Sequence, residues 1–271
     1  MFEKRHGYPA NLQNPKTFSE KLLKRILVGE DPLYDLYAIK HFAHYFVKSR
    51  AIDGLKVARH LKIVSRLEAS NFVDLPEAFL IKSSFGSGLN EIVIRKSDLN
   101  IQDVCDKFND RLPLIRNARN HEYQNNLIIF EEFIGNPDIG TPDDYKFHCF
   151  NSDEGSFSCI IQVDSNRFDD HRQTIFDQTF TPIDMQFAGQ FRHDVTPKRP
   201  AALDDMLRIA RELSSGFDYI RIDLYDTNKG IFFGEMTPFH QGAMAPISPC
   251  EWEDRLGQLW DQRFPNFQPN G

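Results

Sequence analysis

The stretch from Tyr219 to Thr237 restricts the possible fold more than any other part of the chain. Tyr219 to Tyr225 and Ile231 to Glu235 are alternating apolar and polar runs around a turn-forming stretch, Asp226 to Gly230, which is the pattern of a β-hairpin. A turn centred on Lys229 sets Asp223 opposite Glu235 and Arg221 opposite Thr237, all four on one face. Ile220, Ile222 and Leu224 then share the other face with Phe232, Gly234 and Met236, so one side of the sheet is apolar and the other charged. Two directly opposed carboxylates repel unless positive charge lies beside them. Either Arg221 neutralises Asp223 on a solvated face or a divalent cation joins the acids. Mg²⁺, which takes a few carboxylate oxygens together with phosphate oxygens and water, suits the second arrangement.

The remaining segments supply helices first and strands later. Thr17-Phe18-Ser19-Glu20 is a capping box ahead of Leu22, Leu23, Ile26 and Leu27, which predicts a helix from Thr17 to near Gly29. Asp31-Pro32 opens a second helix with Leu33, Leu36, Ala38, Phe42 and Phe46 on its apolar side, so residues 1–75 read as mainly helical. From Pro76 the texture changes. Ala78 to Lys82 and Ile92 to Ile94 flank a small-residue loop as a hairpin, and a helix follows from Ile101 to Ile115. Leu127 to Phe130, Tyr145 to Phe150 and Ser156 to Val163 are strands, and Ala201 to Ser214 is a helix.

Several of these elements carry polar groups where chemistry is possible. Lys82 ends an apolar strand directly before Gly86, Ser87 and Gly88, where backbone amides can crowd a phosphate and a lysine can touch its oxygens. A glycine-tipped hairpin with a rim lysine is the plainer alternative. Glu131, Glu132 and Phe133 end another apolar strand, whose exposed backbone suits an adenine edge or simply an edge strand. Lys146, His148 and Phe150 share a strand face, making Lys146 a second candidate phosphate ligand or a snorkelling lysine. Arg167, His171 and Arg172 sit in a polar loop able to clamp an anion, and His240 lies near the hairpin end.

In order, Asn14 to Leu22, Ile81 to Asn90, Ile129 to Phe133, Asp144 to Asn151, Arg221 to Tyr225 and Phe233 to Thr237 resemble the TupA-like branch of the ATP-grasp superfamily. The resemblance covers most of the chain. It implies an ATP-grasp fold of the α+β class, two lobes holding Mg-ATP between them. In that arrangement residues 1–75 are a helical lead-in, 76–135 the lobe with the phosphate loop and adenine hinge, and 136–271 the lobe with the metal-binding hairpin. It places Lys40, Lys82, Gly86, Ser87, Gly88, Asn90, Glu131, Glu132, Phe133 and Lys146 around the nucleotide, and Asp223, Glu235 and Thr237 at Mg²⁺, with Thr237 where the wider superfamily has Asn. Arg221, Lys146 and Arg167 are then the candidate catalytic groups, the first two on the transferring phosphoryl group and Arg167, or alternatively Arg172, on the acceptor carboxylate.

The implied activity is carboxylate–amine ligation through an acyl phosphate, in cell-surface polysaccharide assembly and with a glycosyltransferase as possible partner. A phosphotransferase acting on a glycan hydroxyl and an inactive nucleotide-binding scaffold are the rival expectations. Composition narrows the rest. Lys plus Arg total 32 against 39 Asp plus Glu, a net charge of −7, which disfavours a broad nucleic-acid grip. No window is apolar enough for a membrane span, and Cys105, Cys149, Cys159 and Cys250 are too dispersed for a zinc site, so a cytoplasmic protein with reduced thiols is expected.

Overall fold

The computed structural model describes residues 1–28, 32–115, 126–137, 140–165, 171–188 and 196–262. Four helices open the chain: α1 (Phe2–His6), α2 (Phe18–Val28), α3 (Pro32–Tyr37) and α4 (Lys40–Arg50). The capping box starts α2 as expected: the Glu20 amide donates to Thr17 Oγ1 at 3.2 Å and the Thr17 amide donates to the Glu20 carboxylate at 3.1 Å. Its apolar side, Phe18, Leu22 and Ile26, packs on Phe150, Tyr219 and Trp260.

The single second helix expected from Asp31 through Phe46 is instead two. Ile39 is buried with an extended backbone (φ −91°, ψ 114°), and the chain restarts as a helix at Lys40, whose amide donates to the Ser84 carbonyl at 2.7 Å. The break turns the helix about its axis. Ala43 and Val47 are therefore inside, while Leu33 and Phe42, expected inside, are exposed. Residues 1–75 also hold two strands that helical periodicity hides, β1 (Leu55–Val57) and β2 (His60–Val64).

Next come β3 (Phe79–Ser83) and β4 (Asn90–Val93), paired as the expected hairpin, then α5 (Ile101–Arg111) and β5 (Ile128–Glu132). A four-stranded sheet runs β2-β5-β3-β4. Phe79, Ile81 and Phe130 point to its core with Phe108 of α5, each fully buried and contributing about 1.5–3 kcal/mol by transfer from water. Beyond it lie β6 (Asp144–Asn151), β7 (Phe157–Ser165), β8 (Arg172–Phe176), β9 (Pro182–Ile183), β10 (Gln186–Phe187), α6 (Leu203–Ser214), β11 (Tyr219–Thr227), β12 (Gly230–Thr237), β13 (Ile247–Ser248) and α7 (Glu251–Leu259). The larger sheet runs β1-β12-β11-β6-β7-β8-β9, so β1 joins this sheet while β2 joins the other. Helix α6 covers one face of the larger sheet through Leu203, Met206, Ile209 and Leu213.

The β11–β12 hairpin keeps the expected register where it matters: Asp223 faces Glu235 and Arg221 faces Thr237. Nearer the turn the register slips by one, so Leu224 faces Phe233 and Tyr225 faces Phe232. The expected sharing of a face by Leu224, Phe232 and Gly234 is therefore wrong: Phe233 goes to the core with Leu224, and Gly234 sits at a bulge. A Cβ there would lie 2.7 Å from Tyr225 Cε2 and 3.2 Å from the Asp223 carbonyl, so only glycine fits. At its base the hairpin is clipped by Arg25, which donates to the Tyr219 and Pro238 carbonyls at 2.9 and 3.3 Å and pairs with Asp218.

Candidate functional site

A cleft partly open to solvent is walled by β3, β4, the loop between them and the end of β5 on one side. Asp223 and Tyr225 of β11 and Phe233 to Glu235 of β12 form the other wall. Alternation on β3 explains the first wall: Phe79 and Ile81 fill the core, which leaves Leu80 and Lys82 facing the cleft. Gly86 and Gly88 both have left-handed backbone (φ +79° and +80°), and a Cβ on Gly86 would approach Ile115 Cγ2 to 2.5 Å. The Phe85 amide donates to Asn126 Oδ1 at 3.0 Å, which holds the loop's approach.

Lys82 Nζ donates to Glu131 Oε1 at 2.7 Å, and His60 Nε2 lies 3.3 Å from Glu131 Oε2. Burial alone would raise the Glu131 pKa, but Lys82 and His60 outweigh it and hold the carboxyl down to about 2. Lys40 reaches across the cleft. Its ammonium donates to the Gly86 carbonyl at 2.6 Å and lies 3.5 Å from Glu235 Oε1, with burial lowering its pKa and Glu235 partly offsetting that.

At the opposite wall the acids have partners. Arg221 Nε and Nη2 donate to the two oxygens of Asp223, both at 2.7 Å; Nη2 lies 3.5 Å from Glu235 Oε2 and Nη1 donates to His240 Nδ1 at 3.1 Å. Lys146 donates to Asp144 and, at 3.1 Å, to Asp223, with Asp164 3.7 Å away. Burial works against all three charges. The Arg221 and Lys146 cations nonetheless depress the Asp223 pKa, and the neighbouring aspartates raise those of Arg221 and Lys146.

These residues fit Mg²⁺. Glu235 is one-third exposed with cations only at 3.5 Å, and Thr237 Oγ1 is a buried oxygen with no hydrogen-bond partner. With Asp223 they offer hard oxygen ligands, the set Mg²⁺ prefers. Among the described residues no group of three or more His, Cys, Asp or Glu is arranged to hold a metal ion, so phosphate and water would complete such a shell.

The structure brings Lys40, Lys82, Gly86, Ser87, Gly88, Asn90, Glu131, Glu132, Phe133, Asp223 and Glu235 into one cleft. Lys146, Arg221 and Thr237 stand on the same strand face behind that lining. Arg167 lies outside the described residues. Sequence reasoning missed Leu80, Ile92, Ile134, Thr141, Pro142, Asp144 and Tyr225, which also line the cleft. Strand alternation was the available signal for four of them, since Leu80 is two residues before Lys82, Ile92 two after Asn90, Asp144 two before Lys146 and Tyr225 two after Asp223. His240, placed near the site without a role, does contact it through Arg221.

The "TupA-like ATPgrasp" family profile matches residues 20–261, and the chain belongs to that family. Its fold is the ATP-grasp fold. Among solved structures it is similar to D-alanine–D-alanine ligase from Helicobacter pylori, at 16% identity and a TM-score of 0.47 over 82% of this chain and 61% of that one. The Bacillus anthracis D-alanine–D-alanine ligase complexed with ATP matches at 12% identity and TM-score 0.45 over 75% and 55%. The Hydrogenobacter thermophilus 2-oxoglutarate carboxylase biotin carboxylase domain, in complex with MgADP and bicarbonate, matches at 14% and 0.47 over 85% and 47%. The chain thus spans about half to three-fifths of the length of these structures. No curated protein shows a significant match. No helix among the described residues is long and apolar enough to cross a membrane.

Proposed function

We propose that the protein is a Mg-ATP-dependent ligase that joins a carboxylate to an amine through an acyl phosphate. The observation that carries this reading is the cleft, in which an ATP-grasp chain sets two lysines and a glycine loop opposite an acid pair. The phosphates would lie against Lys82, Lys40 and the loop amides of Gly86 to Gly88, with Ser87 and Asn90 at their edge. The adenine would meet the backbone of Glu131, Glu132 and Phe133, covered by Leu80, Ile92 and Ile134. Mg²⁺, held by Asp223, Glu235 and Thr237, supplies charge neutralisation at the phosphates. In this proposal the lobes divide at 76–135 and 136–271.

The substrate carboxylate oxygen attacks the γ-phosphorus and ADP leaves; the amine nitrogen then attacks the acyl carbon and phosphate leaves. The chain's own part is to orient the two reactants and to neutralise developing charge. Arg221 and Lys146 keep Asp223 ionised and fixed and bring positive charge to the transferring phosphoryl group, while Arg167 is assigned to the acceptor carboxylate. In this proposal the acceptor belongs to cell-surface polysaccharide assembly, capsule or teichuronopeptide-like, with a glycosyltransferase as candidate partner.

The test is a screen of uronates with amines in Mg-ATP, reading ADP, phosphate and amide together. Equal release of ADP and phosphate with amide formation is expected. Phosphate retained on a product would instead mean a phosphotransferase. Thermal unfolding accompanies it: nucleotide at 100 times its Kd stabilises by about 2.7 kcal/mol. Wild type should show that stabilisation and Glu235→Ala should lose it; binding with no ADP under any mixture would leave the scaffold reading.

A further inference from the structure

Lys82 shares its carboxylate with a histidine. His60 on β2 faces Glu131 on β5 in antiparallel register, and its Nε2 lies 3.3 Å from Glu131 Oε2 while Lys82 occupies Oε1. The His60 ring stacks on His44 of α4 with centroids 3.8 Å apart. His44 Nε2 contacts the Ala58 carbonyl at 2.7 Å, and because a carbonyl only accepts, His44 carries its hydrogen on Nε2. Facing a carboxylate, His60 likewise presents Nε2–H. The Nδ1 atoms of both rings are buried and have no hydrogen-bond partner.

ATP phosphates entering the cleft would compete with Glu131 for Lys82. Glu131 is only 9% exposed, and a buried carboxylate left without its cation is strongly unfavourable. We propose that nucleotide binding moves Lys82 from Glu131 to the phosphates and that His60 takes up one proton from solvent at Nδ1, becoming the imidazolium that keeps Glu131 paired. The inference rests on the reading of Lys82 as a phosphate ligand. One N–H bond forms, Glu131 exchanges one cation for another, and the added charge offsets part of the incoming phosphate charge. His60 is thus a positioning residue.

The other charged and titratable groups around it do not replace it in this role. His44 and His41, both on α4, have pKa values lowered first by burial, which keeps them neutral. Lys40, at the start of the same helix, is bound to the Gly86 carbonyl and paired with Glu235, and Arg59, next to His60, pairs with Glu132 at 3.8 Å. Only His60 among these rings touches the carboxylate that loses its partner.

The test is calorimetric titration of the full chain with the Mg²⁺ complex of a non-hydrolysable ATP analogue, near neutral pH, in buffers of different ionisation enthalpy. For wild type, apparent enthalpy should rise with buffer ionisation enthalpy, reporting proton uptake, and Kd should weaken by up to about tenfold per pH unit above neutrality. His60→Gln, which keeps a donor for Glu131 but cannot hold the proton, should lose both dependences, as should Glu131→Gln, which needs no counter-cation. Wild-type binding with no buffer dependence, or the same dependence in His60→Gln, overturns the proposal while leaving the nucleotide site standing. Absence of binding in the wild type overturns both.

Discussion

The buried His148 makes a sharp prediction about acid stability. It is 0% exposed on β6, stacked on Phe187 at 4.6 Å and held in a directed chain. Gln162 Nε2 donates to Asp164 at 3.0 Å, so Gln162 turns its oxygen to His148, whose Nε2–H donates at 3.3 Å; the Tyr219 hydroxyl then donates to His148 Nδ1 at 3.0 Å. Burial first, and then the charge of Arg221, push the His148 pKa from 6.5 down to about 3. The proton therefore binds the unfolded chain in preference to the native one. The stability this ring contributes is complete above its unfolded pKa and is lost as pH falls from there toward 3. Between pH 7 and pH 5 the loss amounts to about 2 kcal/mol, one pKa unit being about 1.36 kcal/mol. Burial lowers the His240 pKa as well, so it adds in the same sense, whereas Glu131, ordinarily 4.5 and here about 2, titrates mainly below this window. Urea unfolding at both pH values, on wild type and His148→Gln, measures the difference. The variant should lose about 2 kcal/mol less than wild type on acidification; equal losses would refute a neutral, proton-excluding His148.

Three further outcomes follow from packing. Gly234→Ala should lower stability by about 1–3 kcal/mol and abolish the stabilisation by Mg-ATP, because its Cβ meets Tyr225 and the Asp223 backbone at the bulge; thermal melts with and without nucleotide read both effects. Arg25→Met leaves Asp218 buried without its cation and should cost about 3–5 kcal/mol in urea unfolding, despite the apolar replacement between Tyr34 and Trp260. Thr17→Ala should cost about 1 kcal/mol in the same assay and leave nucleotide binding intact, since it removes a helix cap far from the cleft.

Local patterns in the chain determined much that the structure contains. The capping box set the start of α2, alternation set the charged and apolar faces of β11, and a small-residue run between apolar strands set the glycine hairpin that carries Lys82. Each of these depends on residues within a turn or a strand's width of one another, so period and spacing suffice to read them. Tertiary structure decided the rest. Whether Asp223 is met by Arg221 alone or by Lys146 as well depends on β6 lying beside β11. The bulge at Gly234 depends on the Tyr225 ring across the hairpin, and the helix restart that aims Lys40 into the cleft depends on Ile39 being buried and on the Ser84 carbonyl. Strand β1 has only three residues, too few to show a period, and both β1 and β2 pair with a strand from elsewhere in the chain, β12 and β5 respectively.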